Sequence, residues 1–350
     1  MILAGGRGTR LWPISRETKP KQFQKFLSAK TLLQEAFLRL RPAFPAKDFF
    51  VVTHRDYAAE TQRQLPQIPK KNIIIEPVGR NTAAAIGLGA IHLVKRGFGN
   101  EAITVLPADH HIADAKKFAD MLKWGEKKIR KDWLGAIAAN PTYPETGYGY
   151  IKLGKNLGDG VFRVEKFIEK PDLETAQKFL ASWDYLWNTG IFLWRTNTIL
   201  AKIKKHLPQH HKYLSEISRA LGTKDEAEAL AKNYSQIKDI SIDYGIMEKE
   251  KNIFVIPADL GWSDIGSWLH LKKSLQKSAN ENVTRGRCLN INSRDSLIFG
   301  GQRLIATVGV DNLIVVDTDD ALLICSADES QKIKELIKKL KERNETQKYL

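Results

Sequence analysis

The chain has 350 residues, 43% of them hydrophobic, with a net charge of +15 at pH 7 and two cysteines. That length and apolar content support a sizeable buried core and either two domains or one large domain with an appendage. No apolar run approaches the ~20 residues of a membrane span, and Met1-Ile-Leu-Ala4 is too short for a secretory leader. Cys288 and Cys325 form neither a disulfide framework nor a metal-ligand spacing, so a reducing cytoplasm is the expected setting.

The predicted elements begin with a short first strand, four residues before Gly5. A helix over Thr31–Arg41 follows, then apolar runs at Phe49–Val52, Ile73–Ile75, Ile103–Leu106 and Gly135–Ala138 that read as buried strands. Helical patterns over Thr82–Lys95 and Ala115–Lys131 alternate with them. The middle of the chain gives strands over Val161–Lys170, Gly190–Arg195 and Ile253–Ile256. It also gives helices over Leu173–Trp183, Thr198–His206, Lys212–Leu221 and, last, Trp262–Ser274. This alternation predicts an α/β fold with a mostly parallel, Rossmann-like sheet sandwiched by helices. Ligands of such sheets bind beyond the carboxyl ends of the strands. The stretches Gly5–Arg10, Glu76–Thr82 and Pro107–Asp109 all follow strands, so they are expected to converge on one crevice.

After about Asn280 the pattern changes to short apolar pieces separated by Gly, Asp and Asn, at Ser296–Phe299, Leu304–Val308, Leu313–Val316 and Ala321–Cys325. This reads as a small all-β unit. The expected division is a domain over 1–275 and a second over 276–350. The second would end in an amphipathic helix, opened by a Ser326-x-x-Glu329 capping box and carrying the stripe Ile333, Leu336, Ile337 and Leu340.

The positive charge admits either a nucleic-acid binder or an enzyme with polyanionic substrates. In the first fifty residues ten Lys/Arg stand against three Asp/Glu. No aromatic-and-basic repeat, zinc knuckle or helix-turn-helix pattern accompanies them, which favours a small anionic ligand. The run Leu3-Ala-Gly-Gly-Arg-Gly-Thr-Arg-Leu-Trp-Pro13, followed by Lys19-Pro-Lys-Gln-Phe23, supplies a place for one. Gly5, Gly6 and Gly8 let the backbone approach a ligand. Successive N–H groups in such a loop cradle an anion, and Arg10 and Lys21 add cations. The loop is neither a P-loop nor a dinucleotide fingerprint, since no Gly-Lys-Ser/Thr follows and the third glycine position is unfilled.

The full string Gly-Gly-Arg-Gly-Thr-Arg-Leu-Trp-Pro-x-Ser-Arg with Lys-Pro-Lys-Gln-Phe resembles the entry motif of the sugar-1-phosphate nucleotidyltransferases, and in detail that of the mannose-1-phosphate guanylyltransferases. The resemblance covers about residues 1 to 340. It implies a nucleotidyltransferase (GT-A-like) catalytic domain with a small β-helix-like domain after it. It also implies transfer of GMP from GTP to mannose 1-phosphate, with Mg2+ as cofactor and a homodimer as an expected assembly. No nucleic-acid or membrane partner is expected. The first strand is shorter than the family's usual lead-in, and no isomerase domain follows the β unit, which speaks against a bifunctional enzyme.

Asp109 in Leu-Pro-Ala-Asp-His-His and Asp264 in Gly-Trp-Ser-Asp-Ile-Gly each read as a helix N-cap or as a metal ligand. The resemblance favours the metal. It also implies that Leu3, Ala4, Gly5, Gly6, Gly8, Thr9, Arg10, Lys21, Arg80, Asn81, Thr82, Pro107 and Asp109 bind the nucleotide. Gly149, Glu169, Lys170, Asn188 and Asp264 would bind the sugar phosphate, with Asp243 or Tyr244 as further contacts. Arg10, Lys21, Asp109, Lys170 and Asp264 would carry catalysis. His110 and His111 suggest zinc, but adjacent histidines diverge and no third ligand lies at helical spacing. A sister enzyme for another nucleotide or hexose, and a catalytically silent regulatory protein, are the alternatives.

Overall fold

The computed structural model describes residues 1–6 and 8–350. The chain forms two compact units. The first comprises Met1–Gly5, Ala36–Ala108 and Ile112–Trp262; the second comprises Gly6–Glu35, Asp109–His111 and Ser263–Leu350.

In chain order the elements are β1 (Ile2–Leu3), α1 (Leu32–Leu38), β2 (Val51–His54), α2 (Ala58–Gln64), β3 (Ile73–Glu76), α3 (Asn81–Lys95), β4 (Ala102–Pro107), β5 (His111–Ile112), α4 (Ala115–Glu126) and β6 (Leu134–Ala139). Then come β7 (Gly149–Gly158), β8 (Val161–Glu169), α5 (Leu173–Ser182), β9 (Tyr185–Arg195), α6 (Thr196–His206), α7 (Pro208–Ala220), α8 (Glu226–Tyr234), β10 (Ile253–Pro257), β11 (Trp262–Ser263) and α9 (Trp268–Leu275). The chain ends with β12 (Val283–Ile291), β13 (Leu297–Val308), β14 (Leu313–Asp317), β15 (Leu322–Ser326) and α10 (Ile333–Glu342).

The first unit is built on a nine-stranded sheet of order β3-β2-β1-β4-β9-β6-β10-β8-β7. Strands β3, β2, β1 and β4 run parallel. Beyond β4, strand β9 enters antiparallel between β4 and β6, and β8 and β7 pair antiparallel at the far edge. The parallel portion is the one that alternates with helices in sequence. The antiparallel portion arises because β7, β8 and β9 follow one another with only short connections or α5 between them. Strand β6 is buried at every residue, as expected for a strand covered on both faces. Helix α3 buries ten of its fifteen residues, and Ile86, Leu88, Ile199, Ile203 and Leu214 join Trp194 and Val255 in one core.

The second unit carries a four-stranded sheet of order β12-β13-β14-β15, parallel except for its last pair. Leu297, Phe299, Ile314, Val316 and Leu323 from this sheet share a core with Leu11, Phe26, Ile265 and Trp268. The stripe on α10 packs here, with Ile333 and Ile337 buried and Leu336 and Leu340 against them.

Two local expectations are corrected. The expected capping box at Ser326 and Glu329 does not form. Ser326 makes no side-chain cap bond, residues Ala327–Lys332 form a 3-10 segment, and α10 starts only at Ile333. Glu329 pairs instead with Lys332. The expected helix over Trp262–Ser274 is a two-residue strand, a loop and α9, whose N-cap Ser267 accepts the His270 N–H. Gly261 at φ 59° and Ile265 at φ 45° lie outside helical backbone, so the helix cannot begin earlier. Among the described residues no helix is long and apolar enough to cross a membrane.

Candidate active site

In the second unit the glycine loop runs from Gly6 into a 3-10 turn over Thr9–Leu11, which anchors Leu11 and Trp12 in the core. Trp268 of α9 donates its indole N–H to the Trp12 carbonyl at 2.8 Å, fixing the loop. Gln22 Nε2 donates to the Gly6 carbonyl at 2.9 Å. Gly8 has φ 50°, and a Cβ there would stand 2.6 Å from Lys21 Cβ, so this position requires glycine for both conformation and space. Arg10 is exposed, and Thr9 is partly buried beside it.

The close packing against Gly8 directs Lys21, itself only 5% exposed, toward two aspartates. Its Nζ donates to Asp109 Oδ2 at 2.9 Å and to the Asp264 backbone carbonyl at 2.6 Å. Neither aspartate caps a helix: Asp114 caps α4 and Ser267 caps α9. Burial pushes the Asp109 carboxyl up, but Lys21 and His110 outweigh it and hold the group below the usual carboxylate range. For Asp264 burial acts the same way. The His270 hydrogen bond and the Lys21 charge overcome it and hold this carboxyl far lower still. Both are ionised at neutral pH. Asp264 Oδ1 accepts the Gly266 N–H at 2.7 Å and faces His270 Nδ1 at 3.0 Å.

Among the described residues no group of three or more His, Cys, Asp or Glu is placed to hold a metal ion. Asp109 and Asp264 offer a pair of hard oxygen donors. That set fits an ion such as Mg2+, which takes the rest of its oxygens from phosphates and water. His110 Nε2 lies 3.9 Å from Asp109 Oδ1.

The first unit holds the remaining candidates in three places. Leu3 and Ala4 end β1: Leu3 stands in register with Pro107 of β4, and the Ala4 carbonyl accepts the Thr53 hydroxyl at 3.2 Å. Beside Gly5, the buried Glu76 accepts a 2.6 Å hydrogen bond from Tyr234 Oη. Burial pushes the Glu76 carboxyl up to about 7, against the Tyr234 bond.

At the start of α3, Arg80 donates to the Ser235 carbonyl at 2.5 Å and Asn81 to Asp239 Oδ1 at 2.9 Å. The Thr82 hydroxyl accepts the Ile242 N–H at 2.8 Å. Neither Asn81 nor Thr82 is the N-cap, a position held by Arg80 without a side-chain bond. The polar atoms of this motif thus tie α3 to the segment 235–242.

In the third place β7, β8 and β9 bring Gly149, Glu169 and Asn188 together. Gly149 is in register with Glu169, and Asn188 with Ala138 of β6. A Cβ at 149 would overlap Glu169 Oε2 and stand 3.2 Å from Asn188 Cβ. Lys170, half-exposed with φ 50°, places Nζ 2.5 Å from Glu169 Oε1. Glu169 Oε2 is buried without a hydrogen-bond partner, a state that costs about 1–3 kcal/mol until a donor arrives. Asn188 Oδ1 accepts the Gly190 N–H, and its Nδ2 donates to Asp243 Oδ1 at 2.9 Å. Asp243 opens a π-helical turn over Asp243–Met247, a distortion common at functional sites. Burial, and after it the Glu169 charge, push the Asp243 carboxyl up to about 7. Sequence reasoning missed His270 and Tyr234, placed Glu76 only at the head of the stretch Glu76–Thr82, and named Asp243 only as one of two sugar contacts. Asp243 lies 55 residues from Asn188, and Tyr234 lies 158 from Glu76, so no local spacing signals either pair.

Comparison with known proteins bears on both units. The chain matches the family described as nucleotidyl transferase over residues 1–281, and the MannoseP isomerase/GMP-like beta-helix domain over residues 286–340. It is 39% identical over 348 residues to the xanthan biosynthesis protein XanB of Xanthomonas campestris pv. campestris (strain B100), covering 97% of this chain and 73% of that protein. It is 36% identical over 356 residues to a mannose-1-phosphate guanylyltransferase of Salmonella muenchen, covering 100% of this chain and 75% of the relative. A crystal structure described as mannose-1-phosphate geranyltransferase from Thermus thermophilus superposes with a TM-score of 0.89 at 33% identity, covering 97% of this chain and 98% of that one. The chain belongs to the nucleotidyl transferase family and is an enzyme of that kind, a nucleotidyltransferase.

Proposed function

We propose that this nucleotidyltransferase transfers GMP from GTP to mannose 1-phosphate, releasing pyrophosphate and forming GDP-mannose. The observation that carries the reading is Lys21, packed against the glycine loop and buried between the ionised Asp109 carboxylate and the backbone carbonyl of Asp264. The relatives named as mannose-1-phosphate enzymes support the choice of sugar.

Arg10 and Lys21 would hold the outer phosphates of the nucleotide. Asp109 and Asp264 would hold Mg2+, which when bound offsets charge on the reacting phosphates. In the first unit, Glu169 Oε2 and Asn188 would receive the sugar hydroxyls, and Lys170 would balance the sugar's phosphate. The Arg80–Thr82 motif would line the nucleoside pocket. A phosphate monoester oxygen is already ionised at neutral pH, so the nucleophile needs no general base. Catalysis then rests on alignment and on stabilising the leaving pyrophosphate.

The test is pyrophosphate release from each of the four ribonucleoside triphosphates paired with several hexose 1-phosphates, with Mg2+ or with excess chelator. GTP with mannose 1-phosphate is expected to give the highest kcat/KM, and chelation to abolish turnover. A clear preference for another nucleotide or hexose overturns the assignment.

A further inference from the structure

Asp264 is the most heavily constrained of the candidate metal ligands, and its restraints come from its own loop and from α9. The loop folds back so tightly that a Cβ at 266 would overlap the Asp264 carboxylate, with Cγ at 3.0 Å. This allows the Gly266 N–H to reach Oδ1. Between them Ile265 is fully buried with φ 45°. A β-branched residue in left-handed backbone stores about 1–3 kcal/mol of strain and persists only where its surroundings over-determine it. Here the second unit's core does so, holding Ile265 with Leu11 and Trp268. On the other side, α9 carries His270, 5% exposed, with Nδ1 at 3.0 Å from Asp264 Oδ1. The helix is fixed by its Ser267 cap and by Trp268, whose indole bonds the glycine loop.

A carboxylate's last torsion is soft and two-fold, so a backbone N–H alone leaves the plane of the group free to swing. A ring nitrogen on a rigid helix closes that freedom. Partners of this kind, bonded to a ligand rather than to the ion, orient the ligand and tune its affinity.

We propose that His270 is a positioning residue for the metal site: its Nδ1–H clamps Asp264 Oδ1 so that the carboxylate is held ready for a divalent cation. The proposal rests on the reading of Asp109 and Asp264 as metal ligands. His270 touches no substrate in this account. Its effect travels through Asp264, so removing it weakens metal binding first.

The test uses the full chain without substrates and reads Mn2+ affinity by electron paramagnetic resonance, together with thermal unfolding of each variant. His270→Asn places an amide N–H where Nδ1 stands, whereas His270→Gln places it near the position of Nε2. The Asn variant is expected to bind Mn2+ within about threefold of the parent, and the Gln variant about 10- to 100-fold more weakly. In a separate turnover assay with substrates and saturating Mn2+, the Gln variant is expected to recover most of its kcat. Equal affinities in the Asn and Gln variants, whatever their unfolding temperatures, overturn the proposal. If the Gln variant does not fold, His270→Leu takes its place with the same expected loss. Asp109→Asn separates the two levels of the claim. If it leaves Mn2+ binding unchanged, the metal reading itself fails and the proposal fails with it. If it abolishes binding while Asn and Gln behave alike, only the role of His270 fails.

Discussion

Replacing Gly149 with alanine probes the proposed sugar pocket with a single carbon atom. That atom would lie inside 3.0 Å of Glu169 Oε2 and 3.2 Å from Asn188 Cβ, where ordinary contact begins at 3.4 Å. Glu169 must give way by about 1 Å, and it is poorly placed to do so. Its side chain is 8% exposed, Oε1 is held by Lys170 at 2.5 Å, and its backbone N–H donates to Glu248 at 3.0 Å. A displacement of that size in a positioning group costs about 10²-fold, or about 2.7 kcal/mol at 1.36 kcal/mol per decade. Overpacking adds about 1–3 kcal/mol of lost stability. Steady-state pyrophosphate release, varying one substrate at a time, should show the loss in kcat/KM for mannose 1-phosphate. KM for GTP should stay within about twofold. A variant with lowered unfolding temperature and unaltered kcat/KM for the sugar phosphate would refute the placement of the sugar beside Gly149.

Arg10→Ala and Asp109→Asn should each lower turnover by ~10² to 10³-fold with the far-ultraviolet circular dichroism unchanged; parental turnover in either would remove that role. Asp243 is pushed up to about 7 by burial and by Glu169, so the folded state binds a proton that the unfolded chain releases near pH 4. Stability therefore falls as pH rises from about 4 through 7. Thermal unfolding at pH 5 and pH 8 should show this drop in the parent and a smaller one in Asp243→Asn. Glu250, its side chain 1% exposed, meets Lys202 and Lys205 at 3.2 Å and His206 at 2.9 Å. Burial raises its pKa, but those three partners and the Asn252 N–H lower it more. Its stabilisation is thus present above the ordinary carboxylate range and lost as pH falls below it. Glu250→Gln should cost ~3 kcal/mol at pH 7, lowering the unfolding midpoint by roughly 4 °C in calorimetry, with the difference shrinking toward pH 3.

The parts of the fold that were legible are those written as short apolar runs, whether wholly buried like β6 or partly exposed like β3 and β4. Strands β2, β3, β4 and β6 lie on apolar runs, and α3 carries the small-and-apolar run 83–91, so neither needs tertiary information to be seen. Strand β7 was missed because Lys152, Lys155 and Asn156 face outward and its apolar period stops partway. Strand β12 was missed for a related reason: most of Val283–Ile291 is exposed. The helix expected over Trp262–Ser274 starts only at Trp268, because Ile265 inside that stretch adopts left-handed backbone.

At the candidate site, the resemblance to the family's motifs singled out Lys21, Asp109 and Asp264, whereas the neighbours of each aspartate left a helix-cap reading open. His270 was hidden. It lies six residues beyond Asp264 on a helix where a polar residue carries no signal until the loop is seen to fold back. The partners of Arg80, Asn81 and Thr82 in segment 235–242 were equally invisible, since no pattern links sequence positions about 155 to 160 residues apart.

The central claim concerns which phosphorus atom is attacked. Incubation with mannose 1-phosphate and GTP labelled either at the α- or at the γ-phosphate, followed by separation of the products, tests it most directly. The α-label should appear in a nucleotide sugar and the γ-label in pyrophosphate, in equal amounts. Label from the γ position in the sugar product, or as free phosphate without a nucleotide sugar, would contradict it.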